Sequence, residues 1–397
     1  MAARKMTMRR KILMIPGPTE VSEEVRQELA KPVTPHYGSD WVGIYKETIE
    51  MLKTVFKTTG DMFVLVGSSS AAMEASVMSA IEPGDRVLVE LSGTFGLRFK
   101  EIVEAQGGKV VPLNVVLGKA VDPEDVKRIL ERDPGIKAMT LVHNETSTGV
   151  TNPARELGEI AKEHGLLYIV DAVSSLGGIE LRTDNWSVDF CITGSQKCLE
   201  APAGLAMMSV SEKAWKAMER RKEPIRGWYL NLQNLSRYST MWSHWHPQGP
   251  GTMATTLFMG LRLAARNILV EGVENRGERH KRAAKAVRAA MRAMNLELFV
   301  RDNIASNTVT SVRIPLRVSG EDLLKTMRDE HNIIIAGGVG PTEGKIFRVG
   351  HMGIGASPRY ILPTISSLGK SLTKLGHPVQ LDSGVQEAQR ILGQSGA

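Results

Sequence analysis

Between residues 60 and 210 short β-rich apolar runs alternate with longer amphipathic ones, and this alternation restricts the chain more than any other feature. Such a pattern folds as repeated strand–helix–strand units, giving a parallel sheet covered by helices. "MFVLV" (62–66), "RVLVE" (86–90), "KAMTLV" (137–142) and "LLYIVD" (166–171) read as strands, and their apolar continuity suits burial on both faces. Between them "SAAMEASVMSAI" (70–81), "GLRFKEIVEAQ" (96–106), "PEDVKRILER" (123–132) and "ARELGEIAKEH" (154–164) place apolar residues at helical spacing. Pro153 suits the first turn of the last helix.

After residue 211 the pattern turns helical and then irregular. The stretch "WYLNLQNLSRYSTMWSHWHPQGPGT" (228–252) reads as a loop, and a long helix from Thr255 to about Met294 follows, its lysines and arginines on a solvated face. A smaller α+β unit contains "TVTSVRI" (308–314), "EDLLKTMRDE" (321–330), "NIIIAGG" (332–338) and "IFRVGHMG" (346–353), and "DSGVQEAQRILG" forms an added terminal helix. The expected organisation is an N-terminal segment over 1–20, a large domain over 21–270, a small domain over 271–378 and a tail helix over 379–397.

With 397 residues, 42% apolar and 23% charged, the chain has the composition of a folded protein too long for one small core. No apolar run reaches the roughly 18–20 residues of a membrane helix, and "MAARKMTMRRK" lacks the apolar centre of a secretory signal. Five positives in that start (Arg4, Lys5, Arg9, Arg10 and Lys11) account for most of the net charge of +7, so little suggests a nucleic-acid surface. Cys191 and Cys198, the only cysteines, have neither disulfide-framework nor zinc spacing, and a cytoplasmic setting fits.

Ligands of doubly wound sheets bind beyond the carboxyl ends of the strands, where this sequence carries "GSSS", "HNETSTG", "DAVSSLGG" and "TGSQK". In "VGSSSAAMEA" three serines follow a strand and open a helix, so backbone N–H groups and hydroxyls can converge on an anion; an ordinary N-cap explains the motif equally well. Asp171 ends an apolar strand, either capping a turn or facing a cation. Lys197, 26 residues on, is either a solvated loop lysine or a desolvated amine able to bond a carbonyl. Together they meet the needs of a pyridoxal phosphate site: an anion cradle, an acid for the ring nitrogen, an amine for the aldehyde, and Phe95 as a flat face.

An ordered set of motifs, "MIPGPTEV", "VGSSSAAMEA", "SGTFGLRF", "ETSTGVTNP", "VDAVSSLGG", "GSQKCLEAPAG" and "GKIFRVGHMG", spans nearly the whole chain. In these the chain resembles the class V, fold-type I aminotransferases, particularly the serine–pyruvate and alanine–glyoxylate group. The resemblance implies a large domain with a mainly parallel, seven-stranded sheet, a smaller C-terminal domain, and bound pyridoxal 5'-phosphate. It further implies Lys197 as the Schiff-base lysine, Asp171 as the partner of the pyridinium, Phe95 and Val173 on opposite faces of the ring, and Thr146 near the ring oxygen. Ser68, Ser69, Ser70 and Gln196 match phosphate-binding positions, and Thr252 a phosphate contact taken from the neighbouring subunit, which implies a homodimer with shared sites. Arg348 matches the arginine that grips the substrate carboxylate. The implied activity moves an amino group from alanine or serine to glyoxylate or pyruvate in two half-reactions.

The chain departs from the group's pattern at Phe95, where animal glyoxylate enzymes have a larger aromatic, at Gly249, where some relatives place a phosphate-binding aromatic, and in "TPHYGSDW" (34–41), where Tyr37 or Trp41 either shapes substrate choice or packs. Several motifs also resemble pyridoxamine–pyruvate aminotransferases, which use free pyridoxamine; Ser68 and Val339 stand where those enzymes have a glutamate and an arginine. A cysteine desulfurase would need a mobile cysteine, which neither Cys191 nor Cys198 offers. His244 and His246 in "HWH" are assigned no metal, and His36, His143 and His351 near the site segments can equally satisfy buried backbone groups.

Overall fold

The structure, a computed structural model, describes residues 11–393; the basic start before Lys11 lies outside them. Seven strands form the central sheet: β1 (Asp61–Val66), β2 (Arg86–Leu91), β3 (Lys109–Asn114), β4 (Ile136–Val142), β5 (Leu167–Asp171), β6 (Phe190–Gly194) and β7 (Leu205–Val210). Their order is β1-β7-β6-β5-β4-β2-β3. All neighbours run parallel except β7, which is antiparallel to both β1 and β6. The ten residues between β6 and β7 are too few for a parallel crossover, so the chain reverses there. Lys197 sits in that reversal.

The apolar runs are strands because both faces are covered. One face buries Phe63, Leu65, Val89 and Ile192 under α1 (Ser69–Ala80) and α2 (Thr94–Ala105), whose Met73, Val77, Phe99 and Val103 meet them. The other face buries Val64, Leu141 and Tyr168 with Leu52, Phe56 and Phe258. β3 lies at the edge, where Pro112 removes no needed ladder bond.

Several expectations need correction. The helical run from Thr255 to Met294 is two helices, α3 (Thr255–Glu271) and α4 (Val273–Ala293), broken at Gly272, whose φ of 85° favours glycine. Nor are all its cations solvated: Arg276 is buried. The 228–252 stretch also contains a helix, Leu232–Met241, capped when the Asn231 side chain accepts from Asn234 N–H. Pro153 lies just ahead of the helix Ala154–Glu163 rather than in its first turn.

Beyond α4, strands β8 (Val309–Arg313), β9 (Ala336–Gly337) and β10 (Ile346–Gly350) form an antiparallel sheet in the order β8-β10-β9. Its Val312, Phe347 and Val349 pack with α4, α5 (Pro358–Lys374) and α6 (Leu381–Leu392), the last docking through Ala388 and Ile391. The N-terminal Ile12–Leu13 pairs with Ile333–Ile334, which ties the start of the chain to this unit.

Candidate active site

The carboxyl ends of β1, β4, β5 and β6 surround a cleft. Its walls include Ser68, Ser69, Ser70, Phe95, Thr146, Asp171, Val173, Gln196 and Lys197, nine of the residues singled out in the sequence. Folding brings them together from five separate stretches of chain.

At one end α1 begins. Ser68 is its N-cap, yet its side chain makes no capping bond, and the buried Ser69 Oγ has no hydrogen-bond partner. Both hydroxyls therefore remain available at a helix N-terminus, whose dipole favours an anion. Gly194 keeps this end open: a Cβ there would strike Ser69 Oγ and fall 2.8 Å from Gln196 Oε1.

Asp171 ends β5, where its Oδ1 accepts from Val173 N–H at 2.8 Å. Burial raises its carboxyl to about 6, outweighing that hydrogen bond, and a cationic partner would favour its charged form. Lys197 is held in the β6–β7 reversal, where its C=O accepts from Thr19 Oγ1 at 3.0 Å and its Nζ donates to Pro16 C=O. Burial lowers the amine to about 8, which enlarges its neutral, nucleophilic fraction.

Two buried carboxylates fix the wall carrying Phe95. Glu145 Oε2 accepts from the N–H groups of Phe95 (3.0 Å) and Gly96 (3.3 Å), capping α2 from outside because its N-cap, Gly93, has no side chain to do so. Glu90, which burial raises to about 8, accepts from Ser92 N–H and Val142 N–H, both at 2.9 Å. Thr146 Oγ1 donates to Ser174 Oγ at 2.7 Å, and Ser174 Oγ in turn donates to Asn144 C=O at 2.9 Å.

Arg348, on β10, is buried with its Nε donating to Gly337 C=O (2.8 Å) and Nη1 to Thr146 C=O (2.9 Å). Burial lowers its guanidinium to about 10, while the nearby Glu145 opposes the shift. Arg348 is thus tethered beside the cleft wall without itself lining the cleft.

Thr252 is exposed and absent from the cleft of its own chain. Trp41 is a packing residue, buried against Phe258 with its Nε1 donating to Gln248 Oε1 at 2.8 Å, whereas Tyr37 is exposed. Cys191 and Cys198 are buried. His36, His143 and His351 lie outside the cleft lining; His143 Nδ1 meets Ser175 Oγ at 3.0 Å and His351 Nε2 meets Thr310 Oγ1 at 2.8 Å. Sequence reasoning missed Arg98, Asn144 and the capping role of Glu145; the three-residue step from Phe95 to Arg98 puts both on one helix face and was the available signal for Arg98.

A phosphorylated pyridine aldehyde fits these groups: Ser69 Oγ and the helix start suit its phosphate, Asp171 its ring nitrogen, and the Lys197 amine its aldehyde. Such a set at the strand ends of such a sheet defines a pyridoxal phosphate-dependent transferase of fold type I. The family model of the class V aminotransferases matches residues 19–347. An uncharacterized aminotransferase of Methanocaldococcus jannaschii is 43% identical over 96% of this chain and 98% of its own. The crystal structure of ureidoglycine–glyoxylate aminotransferase from Bacillus subtilis superposes with a TM-score of 0.93 at 34% identity, covering 98% of this chain and 100% of that one. Pyridoxamine–pyruvate aminotransferase from Mesorhizobium loti gives a TM-score of 0.92 at 30% identity, covering 98% and 99%. The chain therefore belongs to the class V aminotransferases, pyridoxal phosphate-dependent enzymes that move amino groups between amino acids and oxo acids.

Proposed function

We propose that the enzyme transfers the amino group of a small amino acid, alanine or serine, to glyoxylate or pyruvate in two alternating half-reactions centred on Lys197. The observation that carries the substrate class is Arg348, a buried guanidinium tethered to Thr146 with no ion-pair partner among the described residues. One such fork suits one carboxylate, which lysine could not copy.

When bound, pyridoxal phosphate supplies an aldehyde carbon that bonds amines and a ring that withdraws electrons from the substrate α-carbon. Lys197 Nζ would anchor that aldehyde and, once displaced by the incoming amine, carry the proton away from the α-carbon as base and return it as acid. Asp171 would hold the ring nitrogen protonated, and that pairing in turn would keep Asp171 ionised. Phe95 and Val173 would flank the ring, Thr146 would face its oxygen, and Ser68, Ser69, Ser70 and Gln196 would hold the phosphate. Arg348 would orient the substrate carboxylate.

We further propose a homodimer in which Thr252 completes the partner's phosphate site. Thr252 is exposed, and the segment leading to it exposes Trp228, Tyr229, Met241 and Trp245, an apolar surface that a second copy would cover. Under the alternative reading, with free pyridoxamine as substrate, the serine cradle would face no anion.

The test is the rate at which a panel of amino acids converts the cofactor absorbance of the loaded enzyme. Alanine and serine should lead. Faster conversion by aspartate, or by an uncharged amine, would overturn the assignment, and borohydride labelling of a residue other than Lys197 would overturn the mechanism.

A further inference from the structure

Arg98 is a cation in the cleft that no role above uses. It lies one turn beyond Phe95 on α2, and the two therefore share a face. Its Nη1 donates to Ser70 Oγ at 3.3 Å, and its Cζ lies 4.8 Å from the centroid of the Phe95 ring. The guanidinium thus bridges the flat wall and the serine end. Among the described residues it has no carboxylate within ion-pair distance, unlike the buried Arg276, which meets both Glu200 and Glu271.

The helix carrying Arg98 is locked at its start. Glu145 caps it, and Gly96 packs directly on the β2 backbone, where a Cβ would collide with Glu90 C=O. A locked helix aims its side chains reproducibly. The other end of the cleft has its own cation in Arg348, held to Gly337 and Thr146, and the Lys197 amine is needed for the aldehyde.

We propose that Arg98 is the cation that balances the cofactor phosphate, and that it makes the phosphorylated form, rather than the free alcohol, the one this cleft retains. The proposal rests on the reading of Ser68–Ser70 as the phosphate cradle. A phosphate monoester carries about −1.5 to −2 charges near neutrality. A helix N-terminus offers only about half a positive charge, so hydroxyls and dipole alone leave most of that charge uncompensated. A guanidinium beside Ser70 adds a full charge and a planar pair of donors matched to phosphate oxygens. The field of Arg98 also reaches Asp171, favouring its ionised form, and Lys197, favouring its neutral form.

The test is calorimetric titration of the full-length apoprotein with pyridoxamine 5'-phosphate and with pyridoxamine, which carry no aldehyde and so bypass Lys197. Wild type should prefer the phosphorylated amine. Arg98→Met should weaken that ligand by about 10- to 100-fold and pyridoxamine by no more than about twofold, with Arg98→Lys between wild type and Arg98→Met. Arg98→Gln gives the same reading if Arg98→Met fails to fold. An unchanged preference in these variants, or equal weakening of both ligands, overturns the role of Arg98 while the cradle stands, and Ser69→Ala should still erode the preference. A wild type that binds both amines alike would instead overturn the cradle, and the proposal with it. If the variants keep the preference but lose acidic amino donors, Arg98 serves the substrate and the proposal fails.

Discussion

Gly17 lies against the Lys197 side chain so closely that a Cβ at position 17 would fall 2.6 Å from Nζ. Its φ of 91° is also one that residues with a side chain rarely adopt. Gly17→Ala should therefore push the amine out of place and strain the segment. The expected result is a drop in kcat/KM of about 10- to 100-fold, with slower attachment of pyridoxal phosphate measured by absorbance.

The lowered Lys197 amine has its own pH signature. The folded state releases this proton near pH 8 and the unfolded chain near 10.5, so apoprotein stability should rise with pH across that interval. Lys197→Met should abolish the rise in denaturant midpoint. Stopped-flow attachment of the aldehyde to wild type should accelerate with pH and level off above about 8.

Asp171 works in the opposite sense. Its carboxyl is raised from 3.8 to about 6, so the folded apoprotein holds the proton longer and loses stability as pH climbs between those values. Apoprotein carrying Asp171→Asn should be more stable above pH 6 by on the order of 1–3 kcal/mol. The same substitution should slow the half-reaction by at least about 100-fold, because a preorganised charge is lost.

Arg276 joins α4 to the loop that bears Lys197. Its Nη2 donates to Glu200 Oε1 (2.6 Å) and Cys198 C=O (2.8 Å), and its Nη1 to Glu271 Oε2 (2.7 Å). Arg276→Met would leave Glu200 buried without its closest cation. A loss of about 3–5 kcal/mol should follow, read from chemical denaturation. Glu200→Gln, which keeps a hydrogen-bond acceptor, should cost less.

Much of this was legible because burial on both faces writes itself as continuous apolar runs: β1, β2, β4 and β5 are recognisable from composition alone. β3 was not, since an edge strand half open to solvent and holding Pro112 has no such run. The helix Leu232–Met241 was hidden by its aromatics and by the Pro/Gly stretch after it, and the break at Gly272 by helical periodicity on both sides. The serines, Asp171 and Lys197 stood out because polar residues directly after apolar strands are conspicuous. Arg98, Glu145 and Arg276 did not, because a charged residue's burial depends on partners distant in sequence.

Residues 12–14 are stitched to the small sheet. Ile12 N–H and Met14 N–H donate to Asn332 and Ile334 carbonyls, and Gly350 N–H donates to Met14 C=O, each at 2.8 Å. Pro16 and Gly17 follow within a few residues and roof the lysine, while Arg348 sits two residues before Gly350 on the same strand. The strand that carries Arg348 and the segment that covers Lys197 are therefore joined by main-chain hydrogen bonds into one piece of backbone, so the proposed acid-binding arginine and the proposed nucleophile share a single support.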